Sequence, residues 1–198
     1  MSLSREVGRA LRSTLVLSVL LGLIYPLAMV AFAQFAFPYQ ANGSLLKNAQ
    51  GKVIGSELIG QPFTSDKYFN SRPSAINYST ANPGKDKDKI LSTGISGGSN
   101  LAPSNPDLLT GIQKQIKSFG NLKPTADLVY ASGSGLDPHI SLQAAALQIA
   151  RVAQYRGLQP SELEKLVQQN TDGRFLGIFG EPGVNVLKLN LDLDSLKE

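Results

Sequence analysis

The chain has 198 residues with 19 basic and 15 acidic side chains, a net charge of +4 and no cysteine. Arg5, Arg9, Arg12 and Glu6 stand together at the start, which leaves 16 basic and 14 acidic residues scattered beyond them; that distribution excludes a nucleic-acid footprint despite the basic balance. Without cysteine there is neither a disulfide framework nor a thiolate metal site.

Residues 13–46 carry no charge, and residues 15–37 are almost continuously apolar. About 23 helical residues reach roughly 34 Å, enough for a hydrocarbon core of about 30 Å. The three arginines precede this stretch and no base follows it until Lys47. The positive-inside bias therefore predicts a cytoplasmic flank at 1–12, a transmembrane helix at 13–38 and an extracytoplasmic domain at 39–198. Phe35, Phe37 and Tyr39 gather at the outer end, where aromatic rings favour the headgroup layer. A cleaved, secreted binding protein is the alternative, since Ala31-Phe32-Ala33 offers the small residues of a signal-peptidase site; the apolar region exceeds the roughly 7 to 15 residues of such signals. Pro26 with Gly22 predicts a bend. Ser18 and Gly22, four apart, form a candidate packing face for another membrane helix, although Gly is common in lipid-facing sequence too.

The remainder is the size of one globular domain. Residues 44–54 read as two short apolar runs around Asn48-Ala49-Gln50-Gly51, a hairpin pattern. Residues 61–107 turn to Pro, Gly, Ser, Asn and Thr, with alternating charges at 85–89 that suit a solvated loop tip; so long a segment without periodicity is functional or disordered. Asn105 or Ser104 then caps a helix that begins at Pro106, carries Leu108, Leu109, Ile112 and Ile116 as its stripe and stops at Gly120. An extended piece is expected at 127–131. Helices follow at 141–156, ending at Gly157, and at 160–170, with Leu163, Leu166 and Val167 inward. Residues 184–193 alternate, with Leu187, Leu189, Leu191 and Leu193 on one face, which predicts a half-buried strand. The fold class is α+β: one N-terminal transmembrane helix, then one mixed globular domain.

Two segments resemble chemistry. Ser132-Gly133-Ser134-Gly135-Leu136-Asp137-Pro138-His139 collects hydroxyls, a carboxylate and the sole histidine within eight positions. A membrane-tethered hydrolase would depend on Ser132, Ser134 or His139. G-x-S-x-G does not fit, because Ser132 occupies the place of the first glycine, and triad members come from separated elements. A rigid turn with an Asp137 cap explains the same residues, and one imidazole without a second histidine or a cysteine makes no zinc site. The other segment, Ser96-Gly97-Gly98-Ser99-Asn100, is a turn whose amides suit an anion or nucleotide; G-x-x-x-x-G-K-[ST] is absent, and a packed or partner-facing turn is the competing reading.

Several strings converge in order: Tyr25-Pro26-Leu27, Gln40-Ala41-Asn42-Gly43-Ser44-Leu45, Leu58-Ile59-Gly60-Gln61, Tyr68-Phe69, Arg72-Pro73-Ser74-Ala75, residues 96–101, Pro103-Ser104-Asn105-Pro106, residues 131–141, Arg151-Val152-Ala153 and Asn185-Val186-Leu187. Together they closely resemble the C-subunit family of the Kdp potassium-transporting P-type ATPase, over nearly the whole chain. Two positions depart from that pattern: Tyr130 replaces the usual Thr, and Gly183 replaces the usual Arg.

The resemblance implies a non-catalytic accessory subunit in the bacterial inner membrane. Its partners would be a channel-like potassium-conducting subunit, a P-type subunit that hydrolyses ATP and a small stabilising peptide. Potassium is then the transported ion, and no cofactor is expected on this chain. The Asp-Lys-Thr-Gly phosphorylation sequence of P-type pumps is absent, and one span cannot line a potassium filter. The family is described as a catalytic chaperone that raises the ATP affinity of the hydrolysing subunit. With the arginine flank cytoplasmic, residues 96–100 lie a membrane away from ATP, so the expected influence is indirect. Within the polar segment, Arg72, Asn77, Tyr78, Asn100 and Asn105 are the expected partner contacts.

Overall fold

The computed structural model describes residues 3–48, 50–80 and 94–196. The charge run at 85–89 lies outside them. The chain forms two compact units, which divide between Ile54 and Gly55.

In the first unit, α1 (Leu3–Val19) and α2 (Tyr25–Ala36) are joined by a single π-helical turn, Leu20–Ile24. Proline has no N–H, and its ring collides with the carbonyl four residues back, here that of Gly22. The π turn widens the helix just before Pro26, with the Tyr25 N–H bonding the Leu20 carbonyl five residues back. The resulting helix, Leu3–Ala36, has an 18-residue window of mean hydropathy 2.5 and no buried residue in that window, so it is long and apolar enough to span a membrane. A short α3 (Pro38–Ala41) follows, then the predicted hairpin of β1 (Leu45–Lys47) and β2 (Val53–Ser56). Asn48 builds its turn: Oδ1 accepts from the Gln50 and Lys52 amides at 3.2 and 2.9 Å.

In the second unit, α4 (Pro106–Ser118) starts at Asn105, whose side chain accepts from the Asp107 amide. Leu108 and Ile112 are half-buried, whereas Leu109 and Ile116 are exposed, so only half of the predicted stripe faces the protein. Most of the expected extended piece is instead a helical turn, α5 (Ala126–Val129), because Leu128 and Val129 both reach the core when the chain turns there; Tyr130 after it is extended. Strand β3 (His139–Ile140) leads into α6 (Leu142–Arg156), capped by Ser141 and ended by Gly157 in the left-handed region. Helix α7 (Pro160–Gln169) carries a Gln159/Glu162 capping box. Strands β4 (Thr171–Asp172) and β5 (Gly183–Asn185) complete an antiparallel sheet of order β3-β5-β4.

The predicted strand at 184–193 is a correction: only β5 is extended, and Val186–Ser195 form helix α8. The β5 register ends at Asn185, so a longer strand has no partner in this sheet. Asn185 then accepts from the Lys188 amide and starts a helix, and Val186, Leu189, Asn190 and Leu193 fall inward at three- and four-residue spacing. The alternating leucines fit the strand period alone, but the missing strand partner and the Asn185 cap carry the chain into a helix.

The core lies among α6, α7, α8 and β5, with Phe69 fully buried in it. Phe69 and Asn70 belong to no strand; amide side chains bond their backbone instead. Asn190 accepts from the Phe69 N–H at 2.9 Å and donates to its carbonyl at 3.0 Å. Gln148 does the same for Asn70, at 2.7 and 3.3 Å. Arg156 donates to the Lys67 carbonyl and to Asp194, beneath the Tyr68 ring.

Asp127 ties α5 to the start of α6, accepting the Ser141 amide at 2.7 Å. Burial acts to raise its pKa, but the hydrogen bonds it accepts, led by that amide, outweigh burial and hold the carboxyl below its usual range. A depressed folded pKa contributes stability above the unfolded value, lost as the pH falls through the folded one. Asp127→Asn is expected to lower the melting temperature at pH 7 and to converge with the unsubstituted chain as the pH drops below about 4; melting curves across that range check it.

Candidate functional site

Three loops, 72–80, 94–101 and 131–138, are laced together in the second unit. The Ser132 amide bonds the Pro73 carbonyl at 2.9 Å, and the Gly97 amide bonds the Ser134 carbonyl at 2.8 Å. Ser96 Oγ donates to the same Ser134 carbonyl. Ser74 Oγ donates to the Gly135 carbonyl at 2.7 Å and accepts from the Ile76 and Tyr78 amides. A Cβ on Gly135, which has φ 67°, would lie 2.5 Å from the Gly97 carbonyl oxygen; one on Gly98 would lie 3.1 Å from that of Gly133. These glycines let backbone stack on backbone. The glycine-rich turn is therefore packed against the Ser132–Ser134 segment, with one of its amides already committed.

Asn77, Tyr78 and Ser79 form a left-handed turn, at φ 50, 55 and 57°. Three such residues in succession are unfavourable for side chains with a Cβ, and the surroundings hold them. Tyr78 is 7% exposed, its ring would abut a Cβ on Gly60, and its hydroxyl donates to the Arg72 carbonyl. Burial pushes this phenol up to about 12, so it remains a donor at neutral pH. Tyr78 is thus an interior brace in this unit. Asn77 and Asn100 are exposed, whereas Asn105 is the half-buried cap of α4. Arg72 pairs with Asp137 at 3.1 Å, and its Nε is buried without a partner among the described residues. Arg72 and Tyr78 line a cavity of about 480 Å³ with Phe63, Asn70, Phe119 and Arg151.

In the histidine segment, Asp137 accepts the His139 amide at 3.0 Å, and His139 Nε2 lies 2.8 Å from Asp172. Ser132 and Ser134 share a hydroxyl contact at 3.1 Å. The imidazole thus faces carboxylates while the serines face each other, an arrangement that builds a turn rather than activating a nucleophile. Pro138 contributes its carbonyl, which accepts the Val186 amide. Ser18 lies one residue before the end of α1, and Gly22 sits in the π turn with open space around it. Sequence reasoning missed Ser74, which is bonded three ways, and Asp172, the partner of His139. The Arg-Pro-Ser string was the only signal for the first; nothing local indicated the second.

The family model described as K+-transporting ATPase, c chain (KdpC) matches residues 7–195. The chain belongs to the KdpC family. It is 61% identical over 210 residues to a potassium-transporting ATPase KdpC subunit of Microcystis aeruginosa, covering 99% of this chain and 98% of the relative. It is 60% identical to KdpC subunit 1 of a Nostoc species, over 100% and 99% of the two chains, and 50% identical to the Gloeobacter violaceus KdpC subunit over the full length of both. The KdpC subunit is part of a potassium-transporting ATPase and supports potassium uptake. Tyr130 lines a groove of about 280 Å³ beside α4. Gly183 lies beneath His139, where a Cβ would be 3.1 Å from the histidine Cβ, so a side chain there asks His139 to give by a few tenths of an ångström.

Proposed function

We propose that this chain is a single-pass, non-catalytic accessory subunit with its N-terminus in the cytoplasm and its globular unit on the opposite side. There it supports assembly and potassium uptake by a channel-like subunit and an ATP-hydrolysing P-type subunit, beside a small stabilising peptide. The carrying observation is the apolar helix Leu3–Ala36, with Arg5, Arg9 and Arg12 at one end only. Open space at Gly22 supports close approach of another membrane helix at Ser18, Gly22 and the Pro26 turn. Arg72, Asn77 and Asn100 mark the loop cluster as a partner surface over the potassium entrance. Any gain in the ATP affinity of the P-type subunit passes through the assembly, since this topology holds residues 96–99 away from cytoplasmic nucleotide.

The absence of cysteine supplies a clean test. Ser99→Cys, at an exposed position, is expected to react with a membrane-impermeant thiol reagent in intact cells. Labelling only after permeabilisation would reverse the topology.

A further inference from the structure

Residues 3–12 precede the uncharged stretch yet already belong to α1, which runs unbroken from Leu3 to Val19. A regular helix turns about 100° per residue, so Arg5, Arg9 and Arg12 share a sector of roughly 60°. All three are exposed. Glu6 bonds Arg9 at 2.9 Å, a solvent-exposed pair of little strength, and Arg5 and Arg12 have no ion pair among the described residues. Val7, Leu11 and Ser18, four and seven apart, form a second sector, roughly 150° around the helix from the first. The side offered to a neighbouring membrane helix at Ser18 therefore continues along α1 as apolar residues, and the arginines are turned away from it.

We propose that the arginine face of α1 binds the phosphate group of an anionic phospholipid in the cytoplasmic leaflet, which holds the Ser18 face toward the partner subunits. The inference rests on the proposed topology, with the N-terminus in the cytoplasm. Depth and direction select lipid over an acidic protein surface. The uncharged helical residues 13–36 measure about 36 Å against a hydrocarbon core of about 30 Å, so Arg12 stands in the headgroup layer, itself about 5 to 7 Å thick. Arg9 lies about 4.5 Å farther out, in the same layer, and Arg5 about 10.5 Å, where its long side chain reaches back. A guanidinium matches a phosphate with paired hydrogen bonds, and the anionic cytoplasmic leaflet draws such cations to it. The partner helix meets the opposite face.

The chain has no cysteine, so Val16→Cys, one turn beyond Arg12 on the same face, can carry a single bimane fluorophore. The full chain is reconstituted in vesicles of mixed phosphatidylcholine and phosphatidylglycerol, with brominated acyl chains on one lipid at a time. Quenching per lipid is expected to favour phosphatidylglycerol roughly fivefold. Arg5→Gln with Arg9→Gln and Arg12→Gln, which keeps good helix formers, brings that ratio to about one. Equal quenching in the arginine chain, or a preference that survives the three glutamines, overturns the proposal. Loss of the preference on adding inorganic phosphate at matched ionic strength would assign the face to a free anion instead. No lipid preference, with weaker co-purification of the glutamine variant in the full complex, would assign it to an acidic partner. Both leaflets of these vesicles have one composition, so the readout does not depend on the direction of insertion. A reversed topology from Ser99→Cys labelling would thus remove the cytoplasmic leaflet from the proposal without touching the lipid result.

Discussion

Asn190→Leu is expected to destabilise the globular unit by about 3 kcal/mol, lowering its melting temperature by roughly 10 °C. Leucine fills a similar space but offers no polar atom to the Phe69 N–H and carbonyl, both bonded by Asn190 inside the core. Each unsatisfied buried group costs about 1 to 3 kcal/mol, and the added apolar burial recovers part of that. Circular dichroism melting of the full chain in detergent measures the effect. A loss below about 1 kcal/mol would mean that the Phe69 segment finds other partners and that the amide is not its substitute strand. The same construction at Gln148 explains why two uncharged polar side chains tolerate near-complete burial.

Gly135→Ala is expected to open the loop cluster, at a cost of about 2 to 4 kcal/mol. The added methyl meets the Gly97 carbonyl oxygen and the Ile76 side chain, at a φ that disfavours any Cβ. Because the main hydrophobic core is formed chiefly by α6, α7, α8 and β5, the loss is local. Amide exchange at residues 95–101 should accelerate while the core helices keep their protection. Gly133→Ala serves as the control, since a Cβ there meets nothing within 4 Å. In the assembled complex the same variant separates two roles: loss of subunit stoichiometry marks an assembly surface, and changed potassium affinity at normal composition marks an entrance. If neither changes although exchange accelerates, the cluster is no partner surface.

Several features were legible because their causes are local. The apolar helix, the Asn105 cap, the Gly157 stop and the Pro160 helix start each depend on neighbours within one turn, and all appear where the residues indicate. Gly22 and Pro26 announced an irregularity, although not that it would be a π turn. Distant pairings were not legible. His139 with Asp172, Arg72 with Asp137 and Asn190 with Phe69 are separated by 33, 65 and 121 positions, and no periodicity carries such information. Tyr78 is an expected partner contact whose ring the structure buries at the left-handed turn, a placement no local pattern announced.

The amino-acid sequence by itself determined the family, the one apolar span and most helix ends, since length, charge and capping act over short distances. Tertiary structure decided the rest. Whether residues 186–193 became strand or helix depended on the missing strand partner beyond Asn185, and whether the glycine-rich turn stood free or packed depended on the Ser132–Ser134 segment beneath it. Hydrogen-bond partners and close backbone contacts exist only once distant segments meet, so they decide what local preference leaves open.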